Sequence, residues 1–313
     1  MNDQETEKPK VIMIVGATGI GKTATAISLA SEFNGEIISA DSMQIYRHMD
    51  IGTAKPTHEE MARVPHHMID IIDPETPFDA VAYEKKARPL ILAICRRHCI
   101  PFVVGGTGFY IKALIHGLCE AIPSRPEIRE RLKSESIGAS TDALHQRLLA
   151  CDPETASKLH ANDTYRIIRA LEVFEITGKK ISSHHQAHRF EHSAFSYLKI
   201  GLQMDRKTLY ERIDQRVEAM MTAGLLTEVR GLLNRGYASS LKAMQAIGYR
   251  HMVDFLEGRQ SLDEAVQTLK RDTRRYAKRQ MTWFTRDADI HWIKPDQLDD
   301  MRQLIRSFMD SKE

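Results

Sequence analysis

Gly16-Ala17-Thr18-Gly19-Ile20-Gly21-Lys22-Thr23 (GATGIGKT) stands between the apolar run Val11-Ile12-Met13-Ile14-Val15 and a helical pattern that begins near residue 22. Strand, glycine turn and helix in that order make a phosphate-binding loop. The glycines let backbone N–H groups turn toward an anion, Lys22 adds a positive charge, and Thr23 offers a hydroxyl to a magnesium ion. The loop points to a parallel α/β sheet of the P-loop NTPase kind. By itself it leaves open whether the bound anion belongs to ATP.

The rest of the first 118 residues agrees with that fold class, alternating strand-like runs with helical patterns. Strands are expected at 11–15, 36–40, 68–72 and 100–104, with helices at about 22–33, 79–98 and 108–117. Asp79 suits an N-cap, and Pro89 predicts a kink or break in the second helix. Beyond Gly117 the periodicity becomes helical at 126–136, 142–150, 153–159 and 164–177, with no strand between. Residues 119–192 therefore read as an all-helical insertion into a core formed by 1–118 and 193–313. A strand at 197–204 returns to the sheet, and 207–286 is helical before a short strand at 290–293.

A net charge of +2 excludes a global basic field, and no apolar run approaches the roughly 20 residues that span a bilayer. The polar opening MNDQETEKPK lacks a secretory pattern, so the expectation is a cytoplasmic monomer with no membrane partner. Cys95, Cys99, Cys119 and Cys151 are too scattered for a disulfide framework, and Cys95-Arg-Arg-His98-Cys99 has no second ligand pair at metal spacing. His184, His185, His188 and His192 read as a solvated loop or phosphate-facing surface. Positive charge is local instead. Lys270, Arg271, Arg274, Arg275, Lys278, Arg279 and Arg286 face one acid in their segment, Asp272, with Tyr276, Trp283 and Phe284 interleaved.

Chemistry is expected beyond the carboxyl ends of the strands, where a doubly wound sheet opens its crevice. Asp41, following the strand at 36–40, belongs to that edge as an acceptor's base, a magnesium ligand or a cap. Val103-Val104-Gly105-Gly106-Thr107-Gly108 adds a second glycine turn, which allows close backbone approach to a ligand and brings the Thr107 hydroxyl to the same edge. Asp70 and Asp73 are read as capping or bridging groups outside the site. Arg129 fits either an arginine clamp on a leaving phosphate or a solvated helix face.

Ile38-Ser-Ala-Asp-Ser-Met-Gln-Ile-Tyr46 and Met49-Asp-Ile-Gly-Thr-Ala-Lys-Pro56 closely resemble the tRNA dimethylallyltransferase family, also called tRNA isopentenyltransferases. The resemblance continues through His66–Pro74, Gly105–Tyr110, Asn162-Asp163 with Arg166–Val173, Ala246–Tyr249 and Ala277–Trp283, covering residues 11 to about 293. It implies transfer of a dimethylallyl group from dimethylallyl diphosphate to N6 of the adenosine 3′-adjacent to a tRNA anticodon, with the loop at 16–23 gripping the donor's pyrophosphate. It implies Asp41 as general base, Ser42, Met43 and Gln44 near the flipped adenosine, and Thr107 and Arg129 in the active-site set. The insertion would embrace the anticodon stem-loop through Tyr165, Arg166, Ile167, Ile168 and Arg169. Further tRNA contacts fall to Gln245, Gly248, Tyr249, Arg250, Lys278, Arg279, Gln280 and Trp283.

Three positions depart from the family pattern: Tyr165 where relatives often carry Gln, Gln245 where some carry Arg, and Ile20 where Ser is common. No cysteine pair stands near Glu313, so the zinc finger of eukaryotic members is not expected.

The implied chemistry is coherent. An allylic diphosphate ionises once its departing pyrophosphate is neutralised, by Lys22, loop N–H groups and Thr23-bound Mg2+, with Arg129 and the helical pair Arg212 and Arg216 as further cations. The adenine amine is a poor nucleophile, and a carboxylate that takes its proton assists attack. The alternatives are a phosphate-loop kinase for a small molecule or nucleotide, and an isopentenyltransferase acting on free adenine nucleotides. A non-enzymatic, ATP-using RNA-binding switch is a third.

Overall fold

The computed structural model describes residues 8–118, 122, 124–138, 141–188 and 193–311; Cys119, Pro123 and His192 lie outside these. Six strands form one sheet: β1 (Lys10–Val15), β2 (Gly35–Ser39), β3 (His66–His67), β4 (Ile100–Gly105), β5 (Ser196–Leu202) and β6 (Ile290–Ile293). Their order is β3-β2-β4-β1-β5-β6, and every neighbouring pair is parallel. All of β1 beyond Lys10 is buried, as an unbroken apolar run requires when helices cover both faces of a sheet.

The chain runs from β1 past β4's position to β2, and only later places β5 on the other side of β1. The carboxyl end of β1 is therefore the point where the strand order reverses, and the loops after β1, β2 and β4 all open there. Backbone bonds tie two of them together: Ala40 N–H donates to Val104 O at 2.8 Å and Thr107 N–H to Ala40 O at 3.2 Å. Under the sheet, α1 (Lys22–Glu32) buries Ala26, Ile27, Leu29 and Ala30 against Ile12, Ile14 and Phe102, and α14 (Leu298–Asp310) adds Met301 and Ile305.

Two local expectations change. The strand expected at 68–72 is instead the two-residue β3, because Met68 (φ 65°) and Asp70 (φ 55°) adopt left-handed conformations that no strand accommodates; only Ile72 keeps a bridge, to Tyr46. Pro89 does not break its helix, for α3 (Ala80–Arg96) runs through it. The carbonyl that loses its partner is that of Lys85, and both residues are exposed, so water can satisfy it. Meanwhile Ala80, Tyr83, Ala87, Ile91 and Ile94 keep a continuous buried stripe at three- and four-residue spacing. Asp79 caps this helix by accepting from Ala82 N–H at 2.9 Å.

The described residues fall into two compact units, the first drawn from Met1–Ile115 and Ala194–Glu313, the second from His116–Ser193. The second contains α5 (Pro126–Gly138), α6 (Thr141–Cys151), α7 (Pro153–Ser157), α8 (Thr164–Thr177) and α9 (Ile181–His188) around Leu132, Leu144, Leu148, Ile167 and Leu171. His184 and His185 thus sit on a helix and not in a loop. Asp152 anchors its start by accepting from Ser182 N–H at 3.0 Å and Oγ at 2.8 Å.

In the first unit, α2 (His58–Arg63) and α4 (Gly108–His116) join α1 and α3. The helical stretch after β5 resolves into α10 (Arg206–Thr222), α11 (Leu225–Asn234), α12 (Tyr249–Leu256) and α13 (Leu262–Phe284). Among the described residues no helix is long and apolar enough to cross a membrane.

Candidate active site

Gly19 and Gly21, with φ of 80° and 108°, let the loop after β1 turn tightly enough to bring its backbone over the start of α1. Gly21 caps α1 without a side chain, leaving the helix N-terminus to an anion. The cavity in front, about 360 Å3, is lined by Thr18, Lys22 and Thr23 of the loop, Asp41 after β2, and Arg212 and Arg216 of α10; Tyr276 and Gln280 of α13 complete it. Lys22 Nζ donates to Ala17 O at 2.8 Å. Burial draws its ammonium down to about 8, partly opposed by the Asp41 carboxylate and assisted by the Arg216 guanidinium. Burial lowers Arg216 as well, against the pull of Asp41, and its NH1 donates to Thr18 Oγ1 at 3.4 Å. Three cations, Lys22, Arg212 and Arg216, beside an uncapped helix N-terminus suit a diphosphate.

Asp41 faces this cluster from the end of β2. Its Oδ1 accepts from Met43 N–H at 2.8 Å and more loosely from Gln44 N–H at 3.4 Å, a turn that aspartate forms readily. Among the described residues nothing bonds its Oδ2. Next to it, Ser42 N–H donates to Thr107 Oγ1 at 3.1 Å, and Tyr276 lines the cavity with Asp41. Burial and the Asp41 charge push Tyr276 up to about 12. A second cavity of about 310 Å3 shares Thr18, Asp41, Arg216 and Tyr276 with the first but continues into Ile213, Val217, Met220, Ile247 and Leu269. Asp41 therefore stands where a cationic lobe meets an apolar one.

The glycine turn 105–108 does a different task from the one its sequence suggests. A Cβ on Gly105 would lie 2.2 Å from Ala40 O, on Gly106 2.1 Å from Gln280 Nε2, and on Gly108 2.1 Å from Trp283 Nε1. The glycines make room for protein, letting α13 press its 276–280–283 face onto the site. Gln280, read from the sequence as a tRNA contact, is only 6% exposed. Its Oε1 accepts from Thr18 N–H at 2.8 Å and its Nε2 donates to Gly106 O at 2.9 Å, so its amide bridges the phosphate loop and the glycine turn.

The family described as IPP transferase matches residues 44–287. The chain belongs to the IPP transferase family. A second description, isopentenyl transferase, matches residues 9–71. The chain is 52% identical over 303 residues to the tRNA dimethylallyltransferase of Desulfosudis oleivorans, covering 96% of each chain. It is 46% identical to that of Geobacter metallireducens, covering 97% of this chain and 99% of the relative. Among solved structures it resembles the full-length tRNA isopentenylpyrophosphate transferase of Bacillus halodurans (TM-score 0.73, 42% identity, 97% of each chain covered). It also resembles a eukaryotic dimethylallyltransferase acting on tRNA (TM-score 0.81, 30% identity, 98% of this chain and 81% of that one).

The remaining candidate residues divide by burial. In the helical unit, Tyr165 is 77% exposed and Arg166 pairs with Asp163 at 3.1 Å. Ile167 and Ile168 instead point into that unit's core, which withholds their side chains from a nucleic acid. Arg129 and Arg169 both hold the fully buried carboxylate of Glu172, at 3.0 and 2.7 Å, together with Ser124 Oγ and Arg125 N–H. In the first unit, Gln245 is exposed and donates to Ser239 O at 2.8 Å, and Gly248 (φ 97°) starts α12. Tyr249 is buried and Arg250 pairs with Asp272 at 2.6 Å. Asp70 bridges to Lys55, and Asp73 pairs with Arg47.

The basic run of α13 also divides. Arg274 meets Asp214 and Lys270 meets Glu218, both acids from α10, while Arg271 and Arg275 share Asp272. Lys278 and Arg279 lie exposed beyond them, with Trp283 43% exposed on the next turn and Phe109 50% exposed beside Gly108. Sequence reading assigned Tyr276 no place in the site. Its signal was the spacing Tyr276, Gln280, Trp283, one helix face of hydrogen-bonding residues inside an otherwise basic stretch.

Proposed function

We propose that this chain transfers a dimethylallyl group from dimethylallyl diphosphate to N6 of the adenosine 3′-adjacent to the anticodon of tRNA, releasing pyrophosphate. The observation that carries the reading is the meeting of a diphosphate-type loop and the unengaged Asp41 Oδ2 at the mouth of an apolar lobe. The allylic C1–O bond breaks with its electron pair leaving on pyrophosphate, the C1–N6 bond forms, and the N6 proton passes to Asp41. Lys22 would exchange its bond to Ala17 O for a diphosphate oxygen, with Arg212, Arg216 and the α1 N-terminus sharing the charge. Thr107 holds the loop that carries Asp41 through the Ser42 N–H, and Tyr276 lines the cavity beside it.

Magnesium fits the same cavity, because the Thr23 hydroxyl supplies a hard oxygen donor beside the anion-binding loop and the diphosphate would supply others. Bound there, the ion would neutralise charge on the leaving diphosphate. On this reading the helical unit takes the anticodon stem-loop with Tyr165, Arg166 and Arg169, held in order with Arg129 by Glu172. The first unit adds Gln245, Arg250, Lys278, Arg279 and Trp283. A base enters such a site only when unstacked, at roughly a few kcal/mol, which stacking on exposed aromatic rings offsets. The reading carries with it a cytoplasmic, monomeric enzyme.

Incubating the protein with magnesium, radiolabelled dimethylallyl diphosphate and either unmodified tRNA or AMP tests the proposal. Label in tRNA is the expected result. Transfer to AMP alone, or ATP hydrolysis without prenyl transfer, overturns it.

A further inference from the structure

We infer that Glu228 is a positioning residue for the transfer, holding in place the turn that braces Asp41. The inference rests on the reading of Asp41 as base. Glu228 lies in the first turn of α11, and its carboxylate gathers four donors. Oε2 accepts from Asp50 N–H at 2.9 Å and Ile51 N–H at 2.7 Å; Oε1 accepts from Gly52 N–H at 3.1 Å and from the Tyr249 hydroxyl at 2.7 Å. Three consecutive backbone N–H groups converging on one carboxylate fix the conformation of the segment that carries them. The Tyr249 ring seals the contact, since a Cβ on Gly52 would lie 2.5 Å from it.

The turn is gripped from its other side by Lys55. The Lys55 side chain is 5% exposed, and its Nζ donates to Tyr46 O and Asp50 Oδ1, each at 2.6 Å, and to Asp70. Held between Glu228 and Lys55, the turn presents the carbonyls of Thr53 and Ala54 to Gln44 Nε2, at 3.5 and 3.2 Å. Gln44 then accepts from Ser39 Oγ at 2.9 Å, and its backbone N–H points at Asp41 Oδ1. A path of hydrogen bonds thus runs from Glu228 through residues 50–54 and Gln44 to Asp41. Thr53 lines both lobes of the cleft, so movement of this turn also reshapes the space at the base. None of Glu228's atoms lines either lobe.

Glu228→Gln keeps the size and places an amide N–H against the backbone donors. In the full-length protein, with tRNA and dimethylallyl diphosphate as substrates, kcat should fall about 10- to 100-fold while the donor KM stays within about threefold, as for a slightly misplaced catalytic group. Measurements are made well below the variant's own Tm. Wild-type kcat there overturns the inference, and so does a loss of donor affinity equal to the loss of kcat, which would place the effect at the phosphate loop. If Glu228→Gln does not fold, Tyr249→Phe decides, because it removes one donor and leaves the three backbone contacts: a severalfold fall in kcat at unchanged donor KM supports the inference, and unchanged kcat sinks it. Asp41→Asn is assayed alongside. If it turns over normally, the reading of Asp41 fails; if it is inactive while Glu228→Gln is normal, only the positioning role fails.

Discussion

The two loops that meet at the cleft are built in opposite ways. The phosphate loop draws most of its anion-binding geometry from eight consecutive residues and the helix that follows them, with Arg216 and Gln280 added from later in the chain. The segment from Asp41 to Lys55 has no such local program. It is shaped by Thr107, by Glu228 and Tyr249, and by the Lys55 bridge to Asp70, all but the last far away in the chain. On the proposed reading, the contrast separates the demands of the two substrates. A diphosphate needs only converging N–H groups and cations, which a short motif supplies. Placing one carboxylate oxygen against a weakly nucleophilic amine requires positional control, which comes from packing.

Mutations that act on one loop only test that separation. Asp41→Asn should lower kcat by about 10^2- to 10^4-fold, the range for a general base, with pyrophosphate affinity measured by calorimetry nearly unchanged; a parallel loss of both would merge the two halves. Gly106→Ala joins them physically, because its methyl would collide with Gln280. It should destabilise the protein by about 1–3 kcal/mol in urea unfolding, and combining it with Gln280→Ala should be less than additive.

The phosphate side alone should show a pH signature. Only the protonated Lys22 attracts an anion, and its pKa lies near 8. Below that value pyrophosphate affinity should be flat in this group. Above it the dissociation constant should rise toward about tenfold per pH unit, and Lys22→Arg should remove the inflection. A wild-type profile that matches the Lys22→Arg profile would contradict the burial of this ammonium. The smallest effect concerns α13. Lys278→Ala with Arg279→Ala should reduce the salt slope of tRNA binding by about two, whereas Arg271→Ala with Arg275→Ala should change it by less, because both side chains are drawn into ion pairs with Asp272, which offsets part of their charge. Equal slopes would mean that the ion pairs open on binding.

The same contrast explains what could be read from the sequence. The position of GATGIGKT at the cleft was legible because strand, loop and helix are contiguous, and that of Asp41 because a strand end in this fold has only one place to go. The family motifs were legible as blocks, but several residues inside them serve the fold. Ile167 and Ile168 fill a core, Tyr249 packs on Gly52, and Gln280 ties Thr18 to Gly106. Motif membership cannot distinguish these tasks, since each depends on which distant backbone comes within hydrogen-bonding reach. Glu228 acts on residues 176 to 178 positions earlier in the chain, and no local pattern in α11 announces it. The basic stretch misled for a similar reason, because Asp214 and Glu218 become its neighbours only when α10 packs beside α13.

The amide of Gln280 closes onto Thr18 across 262 residues of chain. At about 5–20 residues per second, that interval takes the ribosome roughly 10–50 s. Over that interval the glycine loop has been made without its partner, and for roughly the first two thirds of it the second edge of β1 also waits for Ser196–Leu202. A nascent or truncated chain that stops before Tyr276 carries the complete phosphate-binding sequence and yet lacks the helix that locks it. The order of synthesis thus delays the finished cleft until almost the whole polypeptide has emerged.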